Sequence, residues 1–445
     1  MVNWLYFSFD RNIFRGEIIL KFLYNYNYLI YGLGQANQAV SDYFNKQGIN
    51  YQIYIDKGEE VTSKILDKID IIVKSPGIPF DTPLLKLAKE LKVKVIGDLE
   101  LFYLFNPESE IICVTGTNGK TTTCYLIYEL LKKKYQVFLA GNIGIPLFSI
   151  IDKAINKLVV IEASSYMLAS TEQFHPHLVV YLNFYPNHLS MHYTFSKYVK
   201  AKLKSMSNLE PNDIIIYNQD DYLIKQMIEK NNSIKISFST KTNVNSYNLN
   251  LEEIVLLKGR HNLENTKAAL AVAKYYDITE ADVTNVLTTF NALEHRIEKI
   301  YEDDKLIIFN DSKATNGLAT KEAILTVSKN ENSSIIWIGG GQERHEQYDS
   351  LNEAINNINF AYLYGANKNS LSLYLTSLNI KHLIFNNLEE VVNSLPTKFN
   401  QKTIILFSPA TPSHDQYHSF EERGNHFKNL ISNHFLKKIQ FKINK

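Results

Sequence analysis

The sequence of 445 residues has few cysteines, almost no net charge and no long uncharged apolar run. Its two cysteines, Cys113 and Cys124, are too few for a disulfide framework and favour a reducing compartment. A formal net charge of +1 provides no basic field for nucleic acid or an anionic membrane. No apolar stretch reaches the roughly 18 residues of a membrane span, and no signal-peptide pattern is present. We therefore expect a cytoplasmic protein without nucleic-acid or membrane partners.

The composition is that of an ordinary globular enzyme. Hydrophobic residues make up 45% of the chain and charged residues 21%. At roughly 150 residues per domain, the length allows about three domains. Short apolar runs alternate with helical stretches, which predicts α/β domains with mainly parallel sheets and flanking helices. We expect the domains to comprise residues 1–108, 109–293 and 294–445.

The first segment contains a glycine turn between two predicted strands. The turn has Gly32 and Gly34, and Asp56 follows at the end of the next strand, 22 residues after Gly34. This order is typical of a mononucleotide-binding βαβ unit, with the carboxylate on a ribose. Asn37 stands where the dinucleotide fingerprint has its third glycine. A purely structural turn and a nucleotide-binding turn are therefore both open.

The second segment contains the sharpest motif, the loop GTNGKT at 116–121. An apolar strand precedes the loop and an amphipathic helix follows it, so its backbone N–H groups can bind phosphate oxygens. Lys120 would then reach the β- and γ-phosphates, and the Thr121 hydroxyl would hold Mg²⁺. Val114 occupies the position of the first glycine of the full P-loop pattern, so the loop is a variant. A plain turn is the alternative.

Three further residues of this segment could support phosphate chemistry. Glu162 ends a predicted strand, His188 lies in a loop, and Lys202 lies on a predicted helix. Taken singly, each has an ordinary interpretation: a solvated carboxylate, a loop histidine and a solvated helix face. Taken together, they could hold a metal ion beside the phosphate loop.

The third segment places polar groups at the ends of predicted strands. Residues 310–316, NDSKATN, combine a carboxylate, an ammonium and two hydroxyls, which could bind nucleotide and an acidic substrate. Ser413 and Phe420 follow the last strand, where a hydroxyl and a helix N-terminus could bind a small carboxylate. The alternative for residues 310–316 is a surface Asx-turn, and the alternative for Ser413 and Phe420 is ordinary helix capping.

From about Leu29 onward the chain resembles the Mur ligases of peptidoglycan synthesis, with residues 1–26 outside the resemblance as an extension of unknown role. The matching stretches NDSKATN (310–316) and SPATPSHDQYHSFEERG (408–424) are closest to the members that add D-glutamate. All the matching stretches are TGTNGKTTT (115–123), GNIGIP (141–146), IEASSYML (161–168), GRHNLEN (259–265), HRIE (295–298), NDSKATN (310–316) and SPATPSHDQYHSFEERG (408–424).

The resemblance implies a Rossmann-like N-terminal domain for a UDP-sugar, a central P-loop ATPase domain and a Rossmann-like C-terminal domain for an amino acid. Its substrates would be UDP-N-acetylmuramoyl-L-alanine and D-glutamate. ATP would phosphorylate the substrate carboxylate, and the amine of D-glutamate would attack the acyl phosphate. The resemblance also implies two Mg²⁺ sites and a monomer.

The resemblance further implies roles for individual residues, first for nucleotide and metal. Lys120, Lys202, His188 and Lys313 would be catalytic. Metal would be bound by Thr121, Glu162, His188 and Lys202, the last as a carbamate that turns an ammonium into an anion. ATP contacts would come from Gly116, Thr117, Asn118, Gly119, Lys120, Thr121, Thr122, Asn262, Arg296 and Asp311.

The substrate sites follow from the same resemblance. The UDP-sugar would contact Gly34, Gln35, Asp56, Ser75 and Asn142, and D-glutamate would contact Thr315, Arg344, Ser413 and Phe420. Arg344 stands near a position where the family often has lysine, and Asn187 and Ser190 replace acidic residues beside His188. Three alternatives stay open: a ligase of this fold for another amino acid or for folate, a nucleotide-binding homologue with little catalysis, and an oxidoreductase built on Gly32 and Gly34.

Overall fold

The computed structural model describes residues 22–58, 60–187, 189–242, 247–251, 260–290, 294–328, 333–344 and 348–436. Within these ranges the strands, numbered in chain order, are β1 Tyr28–Tyr31, β2 Tyr51–Tyr54, β3 Ile71–Lys74, β4 Lys94–Gly97, β5 Glu110–Thr115, β6 Val137–Gly141, β7 Leu158–Glu162, β8 Leu178–Tyr181, β9 Ile214–Asn218, β10 Ile234–Phe238, β11 Glu298–Glu302, β12 Leu306–Asn310, β13 Ser334–Gly340, β14 Phe360–Tyr364, β15 His382–Ile384 and β16 Thr403–Phe407.

The α-helices flank these strands in sequence, as expected for α/β domains. None of those in the described ranges is long and apolar enough to span a membrane. They comprise Gln35–Gln47, Pro83–Glu90, Asp98–Phe105, Lys120–Leu131, Ile151–Ala154, Ser165–Ala169, Leu189–His192, Phe195–Leu203, Tyr222–Ile228, Arg260–Tyr275, Glu280–Thr289, Gly317–Val327, Lys368–Ser377, Leu388–Ser394 and Phe420–Ile431.

The strands form three sheets in the described part of the chain. The first has the order β2-β1-β3-β4, the second β10-β9-β8-β5-β7-β6 and the third β11-β12-β16-β13-β14-β15. Every pairing is parallel except that of β11 with β12. The predicted α/β architecture with three mainly parallel sheets is therefore confirmed. Strands β9, β10 and β11 were not among the predicted strands.

Two compact units contain these sheets. The first comprises Met1–Leu249 and Glu264–Val286 and carries the first two sheets; the second comprises Asn250–Leu263 and Leu287–Lys445 and carries the third. One apolar core in the first unit includes side chains from both of its sheets. The third sheet is covered by an apolar cluster on each face. The boundaries expected at residues 108 and 293 stay predictions.

Strand burial follows the position of each strand in its sheet. Every residue of β1, β3, β7 and β8 is buried, whereas the edge strands β2 and β15 are partly exposed. Central strands of parallel sheets are covered on both faces, which explains why they read as continuous apolar runs. Cys113 and Cys124 are both buried as thiols, and burial raises the pKa of the Cys113 thiol to about 12.

The side chain of Asn37 organises the glycine turn after β1. It is completely buried, and its Nδ2 donates to the carbonyl oxygens of Tyr31 (3.1 Å), Gly32 (2.8 Å) and Val73 (3.2 Å). A single amide thus connects the ends of two adjacent strands. The residue that replaces the third fingerprint glycine therefore has a structural role of its own.

We predict that Asn37→Ala lowers the free energy of unfolding by about 1–3 kcal/mol, since it removes the hydrogen bonds that a buried amide donates to three carbonyl groups. Urea denaturation followed by circular dichroism measures this change. Gln38→Ala is the matched control, because Gln38 is exposed on the same helix and contacts Asp42 at the surface. Equal stability of the Asn37 and Gln38 variants would contradict the assigned role.

Candidate functional site

The phosphate-loop candidate lies at the carboxyl end of β5, in the middle of the second sheet. Neighbouring β7 ends at Glu162, which pairs in register with Val114 of β5. Open α/β sheets bind ligands at this edge, where loops leave adjacent strands. The fold therefore brings the loop and the Glu162 carboxylate to the same edge of the sheet.

The loop itself is held in shape by its glycines and by Asn183. Gly119 has φ +85°, and a Cβ there would lie 2.0 Å from Oδ1 of Asn265, so only glycine fits. The backbone N–H of Thr117 donates to the Asn183 carbonyl (2.8 Å), and that of Asn118 donates to the Asn183 side chain (2.9 Å). Asn183 was not predicted from the sequence as part of the site, although it directly follows the apolar run of β8.

Lys120 begins the helix that leaves the loop. Its Nζ donates to the carbonyl oxygens of Gly116 (2.9 Å) and Thr117 (2.8 Å), so the ammonium lies over the loop. Thr121 and Thr122 follow in the first helical turn and are buried. An ammonium and a helix N-terminus at one glycine loop favour anionic oxygen ligands.

Lys202 is buried, which shows that the interpretation as a solvated helix face is wrong. Only 1% of the residue is exposed, its Nζ donates to the Gly116 carbonyl (2.8 Å), and the ammonium lies 4.8 Å from the centroid of the Tyr198 ring. Burial, and then the nearby charge of Lys120, hold the pKa of Lys202 well below its usual value. Burial thus shifts the equilibrium of this group towards the neutral amine.

Glu162 is also buried, so the interpretation as a solvated carboxylate is wrong. The residue is 1% exposed, and its Oε1 accepts a hydrogen bond from Asn142 Nδ2 at 3.0 Å. Its Oε2 is buried and has no hydrogen-bond partner among the described residues. A buried carboxylate oxygen without a donor fits a Mg²⁺ ligand, because Mg²⁺ binds carboxylate and hydroxyl oxygens.

The predicted metal set also includes Thr121, Lys202 and His188. His188 lies outside the described residues. In the described ranges, no group of three or more His, Cys, Asp or Glu side chains is arranged to hold a metal ion. The metal role of Glu162, Thr121, Lys202 and His188 therefore stays a prediction, and the orphan Oε2 of Glu162 is the observation that supports it.

The predicted UDP-sugar residues of the first sheet lie at the ends of three adjacent strands. Gly34 and Gln35 follow β1, Asp56 follows β2, and Ser75 follows β3. The Ser75 hydroxyl donates to the Gly32 carbonyl at 3.2 Å, which links the β1 and β3 turns. Asp56 and Gln35 are exposed. The fold thus places these four residues at one sheet edge.

A cavity of about 300 Å³ lies in the first unit beside the turn that follows β3. Lys74, Lys197, Tyr166 and His192 are among its lining residues. The rings of Tyr166 and His192 stack with centroids 5.4 Å apart. The Asp81 carboxylate also lines this cavity, so charged groups of both signs and aromatic rings meet in one concave site.

The third sheet buries the Asp311 carboxylate just after β12. Asp311 accepts hydrogen bonds from the Ser408 hydroxyl (2.8 Å) and the Ile297 backbone N–H (3.2 Å). Burial raises the pKa of Asp311 to about 7, and the charges of Arg296 and Arg423 oppose that shift. Arg296 is half-buried, as is Asn262 near the start of the helix Arg260–Tyr275.

We predict that Asp311 makes the protein less stable as the pH rises from about 4 to about 7. In the folded state the Asp311 carboxyl group has a pKa of about 7, whereas an ordinary aspartate has a pKa of 3.8. Folding is therefore favoured at low pH, where this carboxyl group is protonated. Above pH 7 the folded state bears the full free-energy cost of the buried carboxylate. One such shift corresponds to roughly 4 kcal/mol at most.

Urea denaturation at several pH values tests this linkage with Asp311→Asn. The variant is expected to lose most of the pH dependence and to gain roughly 2 kcal/mol at pH 8. Asp304→Asn, which changes an exposed carboxylate of the same unit, is the control. An Asp311→Asn protein with the wild-type pH slope would refute the linkage.

Of the predicted D-glutamate residues, Phe420 contacts the loop that follows β12. The Lys313 ammonium lies 3.7 Å from the centroid of the Phe420 ring. Thr315 is half-buried and Ser413 is buried. Asn316 caps the helix Gly317–Val327 by accepting from Ala319 N at 2.9 Å. Arg344 is half-buried, and its backbone N–H donates to its neighbour Glu343.

Known proteins match this chain along most of its length. A family model described as the Mur ligase middle domain matches residues 114–273. The UDP-N-acetylmuramoylalanine--D-glutamate ligase of Natranaerobius thermophilus is 33% identical over 456 residues, 91% of this chain and 97% of that protein. The ligase of the same name from Geobacillus sp. is 36% identical over 381 residues, 82% of this chain and 84% of that protein.

Solved structures share the fold. The UDP-N-acetylmuramate-alanine ligase MurC of Thermotoga maritima has a TM-score of 0.60 at 18% identity, covering 91% of this chain and 98% of that one. The MurF ligase of the same organism, solved with ADP, has a TM-score of 0.59 at 17% identity, covering 94% and 97%. Because a relative at 33% identity spans 91% of this chain and the matched middle domain contains the phosphate loop, the chain belongs to the Mur ligase family of enzymes.

Proposed function

We propose that this chain joins D-glutamate to UDP-N-acetylmuramoyl-L-alanine in peptidoglycan synthesis, with ATP as the phosphoryl donor. The names of relatives that are 33% and 36% identical support the choice of substrates. The observation that carries the proposal is the glycine loop after β5, with Lys120 on it and Lys202 and Glu162 buried beside it.

The proposed reaction overcomes the poor electrophilicity of a carboxylate. The terminal carboxylate of the UDP-sugar substrate takes the γ-phosphoryl group of ATP and releases ADP. The amine of D-glutamate then attacks the acyl carbon, and the tetrahedral intermediate loses a proton and expels phosphate as the amide forms. Phosphoryl transfer of this kind depends mainly on positioning and charge neutralisation.

In this proposal, residues of the central sheet bind and orient the phosphates. The loop Gly116–Thr122 and Lys120 hold the β- and γ-phosphate oxygens, with Asn262, Arg296 and Asp311 as further ATP contacts. Glu162, Thr121, His188 and a carbamylated Lys202 would hold Mg²⁺, which supplies charge neutralisation when bound. The low pKa of Lys202 supports the carbamate, since only a neutral amine adds CO₂.

The other residues would orient the substrates. Gly34, Gln35, Asp56 and Ser75 would bind the uridine end of the UDP-sugar, and Asn142 would bind its sugar–peptide region. Lys313 would lie between the reacting groups. D-glutamate would contact Thr315, Arg344, Ser413 and Phe420. A cytoplasmic monomer is part of the same proposal.

Phosphate release from the purified protein tests the proposal. The protein is incubated with ATP, Mg²⁺, UDP-N-acetylmuramoyl-L-alanine and single amino acids, namely D-glutamate, L-glutamate, L-alanine and meso-diaminopimelate. We expect release that depends on both the UDP-sugar and D-glutamate, and a product heavier by one glutamyl residue in mass spectrometry. Release with another amino acid and none with D-glutamate would refute the proposal.

A further inference from the structure

Among the described residues of the third-sheet unit, Arg423 is a completely buried cation. It lies on the helix Phe420–Ile431 and has 0% of its surface exposed. Its Nε donates to the Ser312 hydroxyl (3.0 Å), Nη2 to the Ser312 carbonyl (2.7 Å) and Nη1 to the Thr411 carbonyl (3.0 Å). All three acceptors are neutral, so the guanidinium is hydrogen-bonded but its charge is not cancelled.

No carboxylate oxygen of a described residue lies within ion-pairing distance of Arg423. Asp415 and Asp311 act on it only through space. An arginine side chain stays protonated in proteins, so a full positive charge remains at this point. A buried cation without an ion-pair partner is unfavourable unless another anion compensates for it.

The hydrogen bonds of Arg423 connect it to the chain segments that carry the proposed amino-acid subsite. Ser312 is flanked by Asp311 and Lys313, and Thr411 lies two residues before Ser413. The Ser312 hydroxyl also donates to the Phe420 carbonyl at 2.8 Å. One guanidinium therefore connects three of the four chain segments to which D-glutamate contacts are assigned, the segment of Arg344 being the fourth.

We propose that Arg423 is a positioning residue that selects a dicarboxylic amino acid: it fixes the Ser312 and Thr411 loops and supplies a permanent positive charge beneath them. The inference rests on the proposed function. A buried charge acts through a medium of low effective dielectric, so it attracts an amino acid with two carboxylates more strongly than one with a single carboxylate. The charge needs no direct contact with the substrate for this effect.

The test compares two amino acids of nearly equal size, D-glutamate and D-glutamine, through the ratio of their kcat/KM values. In Arg423→Met we expect this ratio to fall about tenfold or more, while the KM for ATP changes less than about twofold. In Arg423→Lys the charge is kept and the forked hydrogen bonds are lost, so we expect a lower Tm and a ratio within about threefold of the wild type.

Lys428→Met is the matched control, since it removes a charge from the same helix that is compensated by Glu294 and Glu298, each at 3.2 Å. An unchanged ratio in Arg423→Met, or an equal loss in the Met and Lys variants, would overturn the proposal. If the Met variant does not fold, as judged by circular dichroism, the ratio in the Lys variant decides: retention supports the proposal and loss refutes it. Failure of the proposed function is seen separately, as wild-type protein that does not turn over D-glutamate.

Discussion

Replacing Lys120 with alanine is expected to lower ATP-dependent turnover by about a thousandfold or more, with little loss of stability. In the folded protein the ammonium donates to the carbonyl oxygens of Gly116 (2.9 Å) and Thr117 (2.8 Å), both in the phosphate loop. In the variant the γ-phosphoryl group loses a cation while its charge is redistributed, so the main loss is expected in the transition state. The effect should therefore appear in kcat and not in the unfolding transition.

Steady-state phosphate release and thermal denaturation separate the two effects. Lys132→Ala is the matched control, because Lys132 follows the same helix and pairs with Glu129 at the surface at 2.7 Å. Wild-type turnover in Lys120→Ala would contradict the assignment of the phosphate loop. A large drop in Tm together with lost turnover would instead mark Lys120 as a structural residue.

Replacing Lys202 with alanine is expected to lower turnover by about a hundredfold or more and to create a site for a small carboxylate. The amine is buried and held below its ordinary pKa, so it can add CO₂ and release a proton to give a carbamate anion. That anion would carry the negative charge that an unmodified ammonium lacks. Acetate or propionate, which fit the space left by the side chain, should therefore restore part of the turnover.

Two measurements test this prediction directly. A carbamate signal in the ¹³C NMR spectrum is expected after equilibration of the wild type with ¹³C-bicarbonate, and it should be absent from Lys202→Ala. Lys204→Ala is the control, since Lys204 is half-buried nearby and donates to the carbonyls of Ala169 and Thr171. Full activity of Lys202→Ala, or restoration of both variants by acetate, would contradict the role assigned to Lys202.

Sequence patterns predicted the central strands better than the peripheral ones. Strands β5, β7 and β8 are covered on both faces and therefore appear as apolar runs. Strand β10 at the sheet edge is exposed at its first two residues and buried only at Phe238, and β11 is a half-exposed antiparallel strand. Such strands are stabilised by pairing with a neighbour, so local composition gives a weaker signal for them.

Functional residues also differed in how well the local sequence predicted their environment. The phosphate loop can be identified from sequence because a glycine loop, a lysine and a helix N-terminus are all local features. Glu162 and Lys202 had solvated interpretations, since a charged residue at a strand end or on a helix has the same letter whether buried or exposed. Arg423 was missed as a charge centre because its partners, Ser312 and Thr411, lie 111 and 12 residues away.

The sequence by itself therefore determined the family, the alternation of strands and helices, and the loop that would bind phosphate, because each depends on residues that are close in the chain. Only the tertiary structure decided which charges are buried. It brought Glu162 beside Val114 through the pairing of β5 and β7, placed Lys202 against Gly116, and enclosed Arg423 beneath two loops. Burial determines how strongly a charge interacts with its surroundings and how far the pKa of its group shifts. Burial in turn depends on contacts between distant segments.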